Sequence, residues 1–182
     1  MSVNASNNEL GMKAPSFKLL NIDYQMLDLK ELKGKNGTII GFICCHCPYV
    51  VAIAERFSKE AKELSKFSIN TIAIMSNDVT KSPDDSFDKM INFASKYQFN
   101  FPFLYDDTQI VAKKYGAVCT PDFFGFDNSL KLMYRGRIDS GVLKSEDNKI
   151  DRELYKAMIK IKDEGIAPTI QHNSFGCSIK WK

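Results

Sequence analysis

Histidine is scarce in this chain, with two copies, and tryptophan scarcer, with one. A zinc site of the common kind takes four ligands, usually as two spaced pairs. Outside positions 44–47, Cys119, His172 and Cys177 stand singly, so a second pair is missing. Covalent haem attachment needs a His directly after the second Cys of a CxxC, and Pro48 holds that position. Long apolar runs are missing as well. No window approaches the ~18 unbroken apolar residues of a transmembrane helix. The opening "MSVNASNNELGMK" has neither the basic nor the apolar region of a signal peptide. The expectation is a cytoplasmic protein with no membrane partner. Nor does one sign of charge dominate: 25 Lys and Arg face 22 Asp and Glu, for a net +3. The lysines are scattered, as in "FSKEAKELSKF", which reads as solvated helix faces and not as a stripe for nucleic acid.

What is there suffices for one domain. The 182 residues are 44% hydrophobic and 26% charged, with no internal repeat, low-complexity tract or linker. The expected domain runs over 11–165, with 166–182 as a C-terminal tail carrying Cys177. The first dozen residues read as disordered or extended. "APSFKLLNIDYQMLDLKEL" alternates around a turn at Asn21–Tyr24 and predicts a small N-terminal hairpin. "GKNGTIIGFIC" and "SINTIAIMS" are continuous apolar runs, as in strands buried on both faces. Between them, Val50, Ile53, Ala54, Phe57, Ala61 and Leu64 recur at helical steps. Further helices are expected in "SFDKMINFASKY", "TQIVAKKYG" and "DRELYKAMIKIKDEG", an extended segment at "FPFLYD", and a hairpin at "FFGFD" and "LKLMYRGRI". That order implies an α/β fold: a central mixed sheet flanked by helices on both faces. The tail has no clear period.

The chemistry concentrates in "FICCHCPYVV", Phe42–Val51. Cys44 and Cys47 are two residues apart where a buried strand becomes a helix. Free N–H groups and the positive helix end stabilise a thiolate there, and the spacing brings the two sulfurs within bonding range. His46 adds positive charge when protonated. Five cysteines cannot all pair within one molecule, and in a reducing compartment such a cluster is catalytic or metal-binding more often than structural. Two alternatives stay open: small buried hydrophobes, or copper or zinc held opportunistically, with His172 as a third ligand.

Other features are ambiguous. In "AVCTPDFFGF", Pro121 is either a rigid entry turn or a cis proline that leaves a backbone edge free for an extended substrate. Cys119 is a buried strand-end thiol or a redox partner. Arg135 and Arg137 alternate along a strand and so share a face, turned to solvent or, for one of them, toward a thiolate. Cys177 lies in "SFGCSIKWK", either as a resolving thiol or as an idle one on a tail pinned by Phe175, Ile179 and Trp181.

Together these residues resemble the thioredoxin fold. "GMKAPSFKLLNID" is similar to the opening of redoxins of the alkyl hydroperoxide reductase/thiol-specific antioxidant family. A peroxiredoxin-like subgroup with a Cys-x-His-Cys-Pro motif is closer still, through "SND", "YDDTQ", "CTPDFF", "YRG" and the Gly-Cys-x-Ile-Lys-Trp-Lys end. The resemblance spans about Gly11 to Lys182. It implies thiol-disulfide oxidoreductase activity without a cofactor or resident metal. If the chain follows thioredoxins, Cys44 attacks and Cys47 resolves. If it follows peroxiredoxins, Cys47 is peroxidatic, Cys44 or Cys177 condenses with it, and Arg135 or Arg137 assists. The implied partners are protein disulfides or dithiols, a thioredoxin-type reductant, and peroxide. Cys45 stands where the subgroup has Asn.

Overall fold

The computed structural model describes residues 2–4, 10–143 and 150–182. Its strands are β1 (Ser2–Asn4), β2 (Lys18–Asn21), β3 (Met26–Asp28), β4 (Gly37–Phe42), β5 (Ile69–Met75), β6 (Phe103–Tyr105), β7 (Cys119–Thr120), β8 (Asp122–Phe126), β9 (Leu132–Gly136) and β10 (Phe175–Ser178). Its helices are α1 (Leu29–Leu32), α2 (Pro48–Ser65), α3 (Phe87–Lys96), α4 (Ile110–Tyr115) and α5 (Glu153–Glu164). The main sheet runs β3-β2-β6-β5-β4-β8-β9. The strands β4, β5 and β6 are parallel, with β8 antiparallel to β4 and β9 to β8.

The apolar runs read as doubly covered strands are that: every residue of β4 is buried, and all of β5 except Asn70. Their side chains feed two cores. On one face Ile39, Ala73 and Phe123 meet α2, α3 and α5; on the other Ile40, Ile72, Ile74 and Phe124 meet α4, through Val111, Ala112 and Tyr115. Phe57 locks α2 to the sheet, its ring 5.0 Å from those of Phe101 and Phe123. Removing such a buried ring costs about 3–5 kcal/mol, enough to endanger a domain of ordinary stability. The helix ends follow backbone chemistry, since Gly116 and Gly165 close α4 and α5 in the left-handed region, at φ 64° and 68°.

One expectation narrows and two change. The opening segment, read as disordered or extended, contributes a strand, β1, and the tail, read without a period, contributes another, β10. Both escape a period search because they are too short to repeat one. With β7 they make a second sheet in the order β1-β10-β7. Arg135 and Arg137 also part company. The Arg135 guanidinium lies 4.6 Å from the Phe124 ring in one core, whereas Arg137 pairs with Glu153, at the head of α5, on the other side. Alternation fails because β9 ends at Gly136, between them. Arg135, 2% exposed, does not face solvent as an edge charge, whereas Arg137 is half-buried.

Candidate active site

The edge of β4 continues one residue beyond the strand, where Ile43 N–H donates to Ile74 O at 3.0 Å. The chain then turns through Cys44, Cys45 and His46, and Cys47 becomes the N-cap of α2 with Pro48 in its first turn. Proline loses nothing there, since that N–H has no partner within the helix. The Cys47 carbonyl accepts from Val50 and Val51, which leaves the thiol at the positive end of an 18-residue helix.

Three sulfurs meet at this point. Cys47 Sγ is 2.9 Å from Cys177 Sγ and 3.3 Å from Thr120 O; Cys44 Sγ is 3.1 Å from Thr120 Oγ1. A hydrogen bond from the Cys44 thiol depresses the Cys47 pKa most. The Cys177 thiol and the N–H groups of Val50 and Cys177 add to it, and against burial they bring Cys47 down to about 5. The donors shift the opposite way. Cys44 rises well above its ordinary value through its bond to Cys47, through burial and through the Asp85 charge. Cys177 is pushed up to about 11 by burial and by its bond to Cys47. The three shifts run in one sense, favouring the anionic form at Cys47 and the protonated form at Cys44 and Cys177.

A buried acid braces the loop. Asp85 accepts the Cys45 N–H at 2.7 Å and the Asn77 side-chain amide at 2.7 Å, and lies 2.8 Å from His46 Nδ1. A carboxylate only accepts, so the His46 proton facing it sits on Nδ1. Sequence reasoning missed Asp85, which stands in the polar loop "NDVTKSPDD" with no periodicity to mark it; Asn77 was inside the "SND" station. Cys44, His46 and Asp85 each offer a ligand atom within 4.8 Å of the others. With three donors already on Asp85, from Cys45, His46 and Asn77, the carboxylate reads as a hydrogen-bonded brace. Among the described residues His172 does not join that group, and its Nδ1 lies 3.1 Å from Glu153 instead.

The Thr120–Pro121 peptide bond is cis. The edge expected to be free beside it is occupied. Strand β10 pairs antiparallel with β7, with Cys177 opposite Thr120 and Ser178 opposite Cys119. Cys119 is fully buried, its thiol pushed up by burial, and Cys45 is raised by burial and by Asp85. Neither is poised to react. Arg135 does not join the cluster as expected. It donates to Gly116 O at 2.6 Å and to Asp122 at 3.1 Å, forming a buried ion pair behind β8.

A dithiol at a helix mouth, faced by a cis proline and carried on a mixed sheet, belongs to thioredoxin-fold oxidoreductases. The thioredoxin domain of thiol-disulfide oxidoreductase BVU-2223 from Bacteroides vulgatus shares the fold, with a TM-score of 0.64 and 14% identity over 85% of this chain and 98% of its own. Within that class the chain belongs to the AhpC/TSA family, which matches it over residues 10–135. An uncharacterized conserved protein from Geobacillus kaustophilus is similar over all of this chain and 97% of its own, at 38% identity and a TM-score of 0.92. Thiol-disulfide oxidoreductase ResA of Bacillus thuringiensis subsp. konkukian is 23% identical over 154 residues, 81% of this chain and 76% of its own. "Putative peroxiredoxin bcp" of Coxiella burnetii is 30% identical over 117 residues, 64% of this chain and 72% of its own. The protein is an oxidoreductase of this redoxin family, and both disulfide exchange and peroxide reduction lie within the family's chemistry.

Proposed function

We propose that the protein is a thiol-disulfide oxidoreductase whose attacking sulfur is Cys47, with Cys44 as the resolving thiol. The observation that carries this reading is the seat of Cys47, which caps the positive end of α2 with the Cys177 sulfur 2.9 Å away, a setting that lowers its pKa to about 5. A thiolate is the nucleophile in disulfide exchange, and at neutral pH Cys44 is not one. This proposal takes the reverse of the thioredoxin-like order, in which Cys44 attacks first.

The Cys47 thiolate attacks one sulfur of a substrate disulfide, forming a mixed disulfide and expelling the other substrate sulfur as a thiolate, which takes up a proton. Cys47 then no longer carries the charge that kept Cys44 protonated. Cys44 loses its proton and attacks the Cys47 sulfur. The Cys44–Cys47 disulfide forms, and the substrate leaves as a dithiol. A thioredoxin-type dithiol supplies the two electrons that reset the pair. His46, anchored on Asp85 beside the cluster, favours the anionic states when protonated. A cytoplasmic location is part of this proposal, supported by five cysteines that cannot all pair within one molecule and suit a reducing compartment.

A second reading, an antioxidant thiol peroxidase, is favoured by the 2.9 Å between Cys47 and Cys177. There the Cys47 thiolate takes an oxygen from a peroxide to become a sulfenic acid, and the remainder of the peroxide leaves as alcohol or water. The Cys177 thiol condenses with the sulfenic acid, releasing water and leaving a Cys47–Cys177 disulfide.

Limiting iodoacetamide at pH 6, followed by peptide mass mapping, tests the nucleophile. Cys47 is labelled first, and prior labelling of Cys44 would sink the assignment. Exposure of the reduced protein to oxidised glutathione or to hydrogen peroxide then separates the two readings by which oxidant reacts faster and which disulfide accumulates.

A further inference from the structure

The backbone edge beside Pro121 is filled by the protein's own chain, and the manner of filling describes what else fits. We propose that this edge is a strand-addition site for extended cysteine peptides with glycine directly before the cysteine, and that Phe175–Ser178 sits in it as a tethered competitor. The inference rests on the reading of Cys47 as the attacking sulfur, since it assigns the place from which a substrate sulfur meets Cys47.

Three observations define the site. Main-chain pairing of β10 with Cys119–Thr120 supplies affinity without regard to side chains, as strand addition does elsewhere. The register places the residue opposite Thr120 with its sulfur 2.9 Å from Cys47 Sγ, so a substrate cysteine in this register is delivered to the thiolate. The preceding position admits no side chain. A Cβ on Gly176 would stand 2.0 Å from Thr120 O and 2.6 Å from Thr120 C, both backbone atoms unable to yield as a flexible side chain does. One residue earlier, Phe175 meets the Tyr49 ring edge-on at 5.2 Å and lines a shallow pocket with Ile53, Pro121 and Ile138. The preferred occupant is thus an extended strand reading bulky apolar residue, glycine, cysteine.

The competitor is held along its outer edge by β1 and from its far end. Ile179 is buried in the core beneath α4, and Lys180 is bonded through its backbone to Asn77, Asp78 and Gln109. A segment tethered in this way presents itself at an effective concentration on the order of millimolar. A free peptide at micromolar concentration therefore reaches the edge only when the tether's own strand is weakened.

The test measures binding, with no chemistry involved. A fluorescein-labelled peptide His-Asn-Ser-Phe-Gly-Ser-Ser-Ile-Lys, the tail sequence with Ser for Cys177, is titrated with full-length wild type, Gly176→Ala and Phe175→Ala while polarisation is followed. Phe175 is 39% exposed, so its variant keeps the fold if the glycine variant does not. Both variants are expected to bind at least tenfold tighter than wild type, and a peptide with Ala for Gly is expected to bind none of the three. Equal binding to all three proteins, binding to none, or equal binding of the Gly and Ala peptides overturns the proposal. Because the peptide cannot react, failure of the Cys47 assignment would show in alkylation and leave this result standing on its own.

Discussion

Cys177 Sγ lies 2.9 Å from Cys47 Sγ, although the two residues are 130 positions apart. Fold closure thereby gives the helix-mouth sulfur a hydrogen-bond donor from the tail, as well as one from Cys44, three residues before it.

Removing either donor should raise the pH at which Cys47 becomes reactive. A hydrogen bond to a charged group contributes about 1.5–3 kcal/mol, and one pKa unit corresponds to about 1.4 kcal/mol. Cys177→Ala is expected to move the inflection up from about 5 by roughly one unit, and Cys44→Ala, which removes the larger influence, by more. Iodoacetamide rates across pH 3–9, read at the Cys47 peptide, check this. An inflection unchanged in both variants would contradict it.

Asp85→Asn should separate the charge of the buried acid from its bracing. The carboxylate holds up the Cys44 and Cys45 thiols by its negative charge, so both should titrate lower in the variant. One acceptor oxygen is lost, either the one facing the Cys45 N–H or the one shared by His46 and Asn77, which should cost about 1–3 kcal/mol of stability. Urea unfolding and alkylation of Cys45 at pH 9 provide the two readings.

Arg135→Ala should destabilise the fold and leave the thiolate alone. It strips the guanidinium from Asp122 inside the protein, a change that typically costs about 3–5 kcal/mol. If the Cys47 inflection moves by a full unit, Arg135 belongs to the site after all.

Glu60 should impose a pH dependence of its own. Burial lifts its pKa from 4.5 to about 7 against the pull of Arg152. Across that interval the unfolded chain gives up the proton while the folded one keeps it. The stability Glu60 contributes is complete below the lower value and is lost as pH rises through about 7. Glu60→Gln should therefore flatten the fall in urea midpoint between pH 5 and 8.

Much of this was legible in advance because the elements announce themselves by period. The runs at 37–42 and 69–75 and the helical spacing from Val50 to Leu64 are long enough to repeat, and the strand-to-helix junction between them marks Cys44 and Cys47. Pairing across the fold leaves no such trace. Arg135 looks the same on paper whether it meets a thiolate or Asp122, and Asp85 is one acid among several in a loop. The nucleophile was undecidable from spacing because it depends on which thiol donates to which. The stations "SND", "YDDTQ" and the final Ile-Lys-Trp-Lys looked like separate family marks. Asn77, Gln109 and Lys180 join them by hydrogen bonds, which makes them the receptacle for the tail.

Gln109 has a consequence for how the tail can vary. Buried and held at φ 61°, its amide reaches Ser76 O, Lys180 O and Lys182 N–H, all of them main-chain atoms. Such a clasp is indifferent to spelling and strict about counting. Side chains at 180 and 182 can drift without loosening it. A single residue inserted or deleted between Cys177 and Lys180 would draw the sulfur away from Cys47 or pull the end of the chain from its clasp.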